Sequence, residues 1–222
     1  MAAFLDEVLD PFYTSAPKAK ETYSFGHMFC CPAYYPHQNM AIWRPRNLDV
    51  RLGTARDFNI QASVADCFRR ALPYTDPVLE TNEEFIAIKA KPRPVILLQP
   101  PDPSLLGIKK GTYPAKIARH LCPVVLIYSA VNEVGDSKFP PEFVERVRQL
   151  EYRQFMFLPK GGPLTVDSIA RLDEIQSVAV NQLEPAEFAL SPDVCKVLKS
   201  QVSYFYSGLS GNEFVEWAAL LK

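Results

Sequence analysis

No run of apolar residues reaches the roughly 18 that a membrane-crossing helix needs. The opening Met1-Ala2-Ala3-Phe4-Leu5-Asp6-Glu7 has neither the basic start nor the apolar core of a secretory leader. Charge of one sign is also missing. Twenty-four Lys and Arg against 25 Asp and Glu leave a net charge of -1. That excludes a strongly basic nucleic-acid coat and a polybasic membrane binder, while leaving room for a local basic patch. The five cysteines, Cys30, Cys31, Cys67, Cys122 and Cys195, are odd in number and irregularly spaced. They form no disulfide framework, which suits a reducing compartment. The expected location is therefore the cytoplasm, with no membrane partner. Neither the Gly-x-x-x-x-Gly-Lys-Ser/Thr phosphate loop nor the Gly-x-Gly-x-x-Gly turn occurs. Ser210, in Gly208-Leu209-Ser210-Gly211, falls one residue short of a nucleophile elbow and reads as a helix–helix turn.

What is present is an ordinary globular profile: 48% hydrophobic, 12% aromatic and 22% charged over 222 residues. That is ample chain for a core, in one large domain or two small ones. Twenty prolines, roughly twice the usual share, argue for loops and short strands. Phe4, Leu5, Val8 and Leu9 predict a short helix over 3–10, and a polar linker follows over 14–24. Strands are predicted from Gly26 to Pro32, at Phe85–Ile88, at Val95–Leu98 and, most strongly, at Pro123–Ser129. Residues 33–60 read as an irregular excursion with Trp43 as an anchor, 64–72 as a helix capped by Ser63, and 100–121 as a loop. Pro140-Pro141 open a helix with Phe143, Val144, Val147 and Leu150 inward. Gln154–Leu158 and a bent or interrupted 166–180 read as strands. Ser191-Pro192 start a longer helix, broken at Gly208–Gly211, before a short final one. Phe205, Phe214 and Trp217 on these last helices read as core packing, with a dimer interface as the alternative. Strands carrying long insertions, then helices, fit a small antiparallel barrel with peripheral helices better than a doubly wound sheet.

Two groups of residues invite a chemical reading. His27, Cys30, Cys31 and His37 are zinc-ligand types. Adjacent cysteines on a strand point to opposite faces, however, so buried strand cysteines are the better reading and no metal is expected. The second group is spread over three segments. Arg93 opens a buried strand in Lys91-Pro-Arg-Pro-Val-Ile-Leu-Leu-Gln99. Ser129 ends Val124-Val-Leu-Ile-Tyr-Ser129. Arg171 and Asp173 lie two apart in Asp167-Ser-Ile-Ala-Arg-Leu-Asp-Glu-Ile-Gln-Ser-Val178, and in a strand they share a face. Arginine, carboxylate and hydroxyl suit RNA cleavage without a metal. The carboxylate takes the 2'-OH proton, the arginine neutralises the phosphorane, and the hydroxyl places a phosphate oxygen. A surface ion pair between Arg171 and Asp173 is the competing reading.

Together these segments resemble the MazF/PemK-like (CcdB/PemK-like) toxin family. Arg93-Pro94 with its aliphatic run resembles the family's Arg-Pro strand. Asp167-Ser168 through Gln176-Ser177 resembles its Asp-Ser…Gln-x-Arg-Thr strand. Leu190-Ser191-Pro192 keeps the family's following helix, and Gly26 stands for the glycine of the first strand. The resemblance implies a mainly β, SH3-like barrel with peripheral helices, in a single domain over 1–222. It implies a homodimer that cuts single-stranded RNA without a metal or cofactor, and an antitoxin protein that blocks the site. Carried over, Arg93, Ser129, Arg171 and Asp173 are the catalytic positions. Ser129 replaces a threonine and Gln176-Ser177 an Arg-Thr. The chain is about twice the family's usual length, with an insertion over 33–90 between the first and second barrel strands. Lys109, Lys110, Lys116 and Arg119 form a basic loop that would supply RNA contacts, or else a solvated surface. The alternative function is an inactive interaction module binding a protein or a nucleic acid.

Overall fold

The computed structural model describes residues 3–19, 22–35, 38–45, 48–49, 54–55, 58–62, 73–75, 78–102, 121–132, 134–209 and 212–221. His37, the predicted 64–72 helix with Cys67, Ser210, and the basic loop of Lys109, Lys110, Lys116 and Arg119 lie outside the described residues. The chain divides into two compact units, Met1–Ala33 with Pro92–Lys222, and Tyr34–Lys91. The secondary structure is mainly strand with a few peripheral helices, α1 (Leu5–Val8), α2 (Pro141–Arg148), α3 (Pro192–Ser207) and α4 (Asn212–Leu220). Among the described residues, no helix is long and apolar enough to cross a membrane.

The first unit is organised by a seven-stranded sheet. In order across it, the strands are β1 (Tyr13–Ser15), β14 (Glu184–Leu190), β2 (His27–Tyr34), β10 (Ala90–Leu97), β11 (Leu121–Ser129), β13 (Ser168–Ala179) and β12 (Phe155–Leu158). β10, β11, β13 and β12 run antiparallel in turn, as do β1, β14 and β2. β1 and β12 are the edges, so the sheet is not closed into a barrel by strand pairing. One side-chain bond links the two edges: the Tyr13 hydroxyl donates to the Pro159 carbonyl, just beyond β12, at 2.7 Å.

Both faces of this sheet are covered, which is why β10 and β11 read as continuous apolar runs rather than alternating ones. Met28, Ile96, Val125, Ile127, Ala170 and Leu172 face a core completed by Val194, Val197 and Leu198 of α3 and Phe214 of α4. Phe205 and Trp217 pack half-buried against it. The intervening residues Phe29, Cys31, Val95, Leu97, Val124 and Leu126 build a second core on the other face. α2 covers a third cluster, with Phe143, Val144 and Val147 against Phe157 and Ile169.

Gly26 joins three strands at their ends. Its N–H donates to Leu97 at 2.9 Å and its carbonyl accepts from Leu190 at 3.0 Å. Its φ of +87° favours glycine, and a Cβ there would intrude on Cys195 Sγ. Gly208, at φ +69°, ends α3 in the left-handed cap, as its position after the helix predicts. At the other end Pro192 occupies the first turn, but the Ser191 hydroxyl makes no cap bond.

The second unit has β3 (Ala41–Pro45) between β6 (Phe58–Ala62) and β9 (Phe85–Ala87). Two small hairpins accompany it, β4 (Leu48–Asp49) with β5 (Thr54–Ala55) and β7 (Tyr74–Thr75) with β8 (Val78–Leu79). The described residues of the expected irregular 33–60 excursion are thus largely short strands. Ile42 is buried, while Trp43 remains half exposed and meets Phe85 edge-on at 6.1 Å. The expected buried strand at 85–88 is an edge strand with Ile86 and Ile88 exposed. β1 overlaps the expected polar linker, and β14 falls where no strand was predicted. Their hydrogen-bond partners are remote in sequence and their side chains lack a long apolar run.

Candidate active site

The candidate site is shaped by an irregularity in β13. Val125 pairs with Ile175, but the next residue, Leu126, pairs with Arg171 rather than Glu174. Leu172, Asp173 and Glu174 therefore form a bulge. A bulge reverses the alternation of faces along a strand. Ala170 and Leu172 point to the helical core before it, and Ile175 after it. Arg171 and Glu174, three residues apart, are thereby brought to the same opposite face. Both backbone groups of Leu172 in the bulge are bonded: its N–H donates to Gln154 at 2.9 Å, and its carbonyl accepts from the Tyr206 hydroxyl of α3.

Arg171 is gripped by two carboxylates. Its Nε and Nη2 donate to the two oxygens of Asp173 at 3.1 and 2.6 Å. Its Nη1 lies 2.6 Å from Glu174 Oε1. The other Glu174 oxygen accepts the Tyr128 hydroxyl. The Arg93 guanidinium lies over the Tyr128 ring, 4.2 Å from its centre, and that of Arg171 is 5.7 Å from the same ring. This follows from register: Val95 pairs with Leu126, so two residues further along the ladder Arg93 comes opposite Tyr128. Glu174 and Arg93 are buried. The side chains of Arg171 and Asp173 keep 33% and 30% of their exposure and form the accessible part of the group.

The electrostatics fix the protonation roles. The bond to Asp173 and the charges of both carboxylates raise the Arg171 pKa against the cost of burial, so Arg171 is a permanent cation. Burial, and then the bond to Glu174, push the Tyr128 phenol up, so it stays a neutral donor. Asp173 is the accessible carboxylate beside a fixed cation. The arrangement can accept a proton at Asp173 and stabilise an anion at Arg171. Arg171 is therefore suited to hold charge rather than to give up a proton.

Of the four positions singled out in the sequence, Arg93 and Arg171 meet at the Tyr128 ring, Asp173 joins them through its bonds to Arg171, and Ser129 stands apart. Val125 and Ile127 face the helical core, so alternation turns Ser129 to that side and Tyr128 to the other. The Ser129 hydroxyl donates to the Val131 carbonyl and accepts from Lys138 Nζ at 3.0 Å. Sequence reasoning missed Tyr128 and Glu174. Tyr128 adjoins the singled-out serine, but only the ladder register reveals that it, and not Ser129, meets the arginines.

The described members of the His/Cys group do not assemble. His27, Phe29 and Cys31 share a face, Cys30 takes the other beside Glu184, and all four described cysteines are free thiols. Among the described residues, no three His, Cys, Asp or Glu side chains come together to hold a metal ion. Burial pushes the Cys31 and Cys195 thiols up to about 11, so neither is a ready nucleophile. The chain matches no protein-family model, no curated protein and no solved structure.

Proposed function

We propose that this chain is a diverged MazF/PemK-like protein: an SH3-like barrel interrupted by residues 34–91, acting as a metal-independent endoribonuclease on single-stranded RNA. The observation that carries this reading is the partly exposed Arg171–Asp173 pair, with Arg171 and the buried Arg93 both at the Tyr128 ring. In the proposed step, Asp173 takes the 2'-OH proton and the 2'-oxygen bonds to phosphorus. Arg171 holds the charge of the phosphorane. The bond from phosphorus to the 5'-oxygen breaks, and solvent protonates that oxygen. The products are a 2',3'-cyclic phosphate and a free 5'-hydroxyl. Arg93 supports the site from beneath through Tyr128. A homodimer and an antitoxin protein belong to the same proposal.

Two observations favour the second reading, an interaction module without activity. The Arg171 charge is already met by two carboxylates, and the Ser129 hydroxyl lies on the far face. One experiment separates the two: cleavage of a long single-stranded RNA in EDTA by the wild-type chain and by Arg171→Ala/Asp173→Ala. Cleavage by the wild type alone, leaving cyclic phosphate ends, is the expected result. Intact RNA with folded wild-type protein, or equal cleavage by both proteins, refutes the ribonuclease reading.

A further inference from the structure

Between α2, the segment ahead of it and the β12–β13 end of the sheet lies a cavity of about 190 Å³. It is lined by Tyr128, Phe139, Phe143, Phe155, Ile169 and Arg171. The phenylalanine rings are half-buried rather than sealed in the core. Phe139 and Phe143 lie 5.3 Å apart, and Phe143 meets Phe155 at 5.6 Å and 70°. The Arg171 guanidinium lies 5.8 Å from the Phe155 ring centre. Two of the lining residues, Tyr128 and Arg171, are therefore shared with the candidate active site.

We infer that this cavity is a stacking subsite for a single base of an RNA strand, the base attached to the phosphate that Arg171 faces. Its walls are aromatic faces and edges, which favour a flat ring over an aliphatic chain. Arg171 uses three of its five N–H donors on Asp173 and Glu174, and the donors beyond those three favour an occupant with an oxyanion next to its ring. A nucleotide combines both features, and its base is held without sequence-specific bonds because every base has a π-face. A base seated here leaves its phosphodiester beside Arg171 and Asp173. The inference thus rests on the ribonuclease reading and supplies that reading with a substrate-positioning element.

The test uses a fully 2'-O-methylated oligonucleotide, which lacks the 2'-hydroxyl nucleophile, so its binding is measured independently of cleavage. Fluorescence anisotropy compares it with a series carrying one abasic position each, against the wild-type chain and Phe143→Leu. One abasic position is expected to weaken wild-type binding about tenfold, and to cost less than twofold in Phe143→Leu. Phe139→Leu, outside α2, repeats the cycle if Phe143→Leu does not fold. No binding, no abasic position with an effect, or an equal effect in wild type and variant overturns the inference. Binding with this pattern but without cleavage of unmodified RNA sinks the ribonuclease reading and leaves the subsite. Cleavage with no abasic effect does the reverse.

Discussion

Asp173 and Glu174 are neighbours on one bulge and both hold Arg171, yet substituting them separates catalysis from stability. Asp173→Asn removes a carboxylate whose side chain is 30% exposed. Exposed ion pairs contribute about 1 kcal/mol or less, so unfolding free energy is expected to fall by no more than that. On the proposed function, its loss as proton acceptor is expected to lower RNA cleavage by about 10²–10⁴-fold. Glu174→Gln acts where the side chain is 5% exposed and bonded to both Arg171 and Tyr128. The amide keeps one acceptor oxygen and loses the charge, so about one charge-assisted hydrogen bond goes, about 2–3 kcal/mol. For a unit of this size that lowers Tm by about 5–10 °C. Paired urea unfolding curves and single-turnover cleavage on the same preparations check both variants. If Asp173→Asn were the more destabilising of the two, or kept wild-type cleavage, Asp173 would be a structural partner of Arg171 and the proposed proton transfer would be wrong.

Three further outcomes follow from the geometry. Tyr206→Phe deletes the hydroxyl that holds the Leu172 carbonyl in the bulge; about 1 kcal/mol of stability and several-fold in cleavage rate are expected to go, whereas an unchanged rate would remove Tyr206 from the support of the site. Gly26→Ala imposes a left-handed φ on alanine and drives its Cβ into Cys195 Sγ; a loss of about 3 kcal/mol is expected, and the cycle with Cys195→Ala reads a coupling of about 1 kcal/mol or more. Burial lowers the His27 pKa from 6.5, so the unfolded chain binds this proton first. The His27 contribution is fully present above pH 6.5 and is lost as pH falls through the lower folded value. His27→Gln is therefore expected to flatten the unfolding free energy between pH 7 and 5, and an unchanged slope would remove His27 as its source.

Much of the strand content is legible in the chain. Val95–Leu98, bounded by Pro94 and Pro100, and Pro123–Ser129, opened by a proline, are apolar runs, and they lie at the centre of the sheet, where both faces are buried. The spacing of two also placed Arg171 and Asp173 on one face, and they are bonded there. The same rule would have sent Glu174 to the opposite face, and the bulge overrules it. Ser129 was singled out through the family resemblance, whereas alternation along β11 turns its neighbour Tyr128 to the arginines instead. Short strands such as β1 and β14 carry little signal, because their stability comes from partners far along the chain. Local composition and periodicity by themselves determined that strands dominate, that helices close the chain, and which charged residues were available for chemistry. Only the tertiary structure decided which of them meet. A register shift or a bulge reassigns a side chain to the other face, and both are set by long-range pairing and packing that no local stretch of sequence contains.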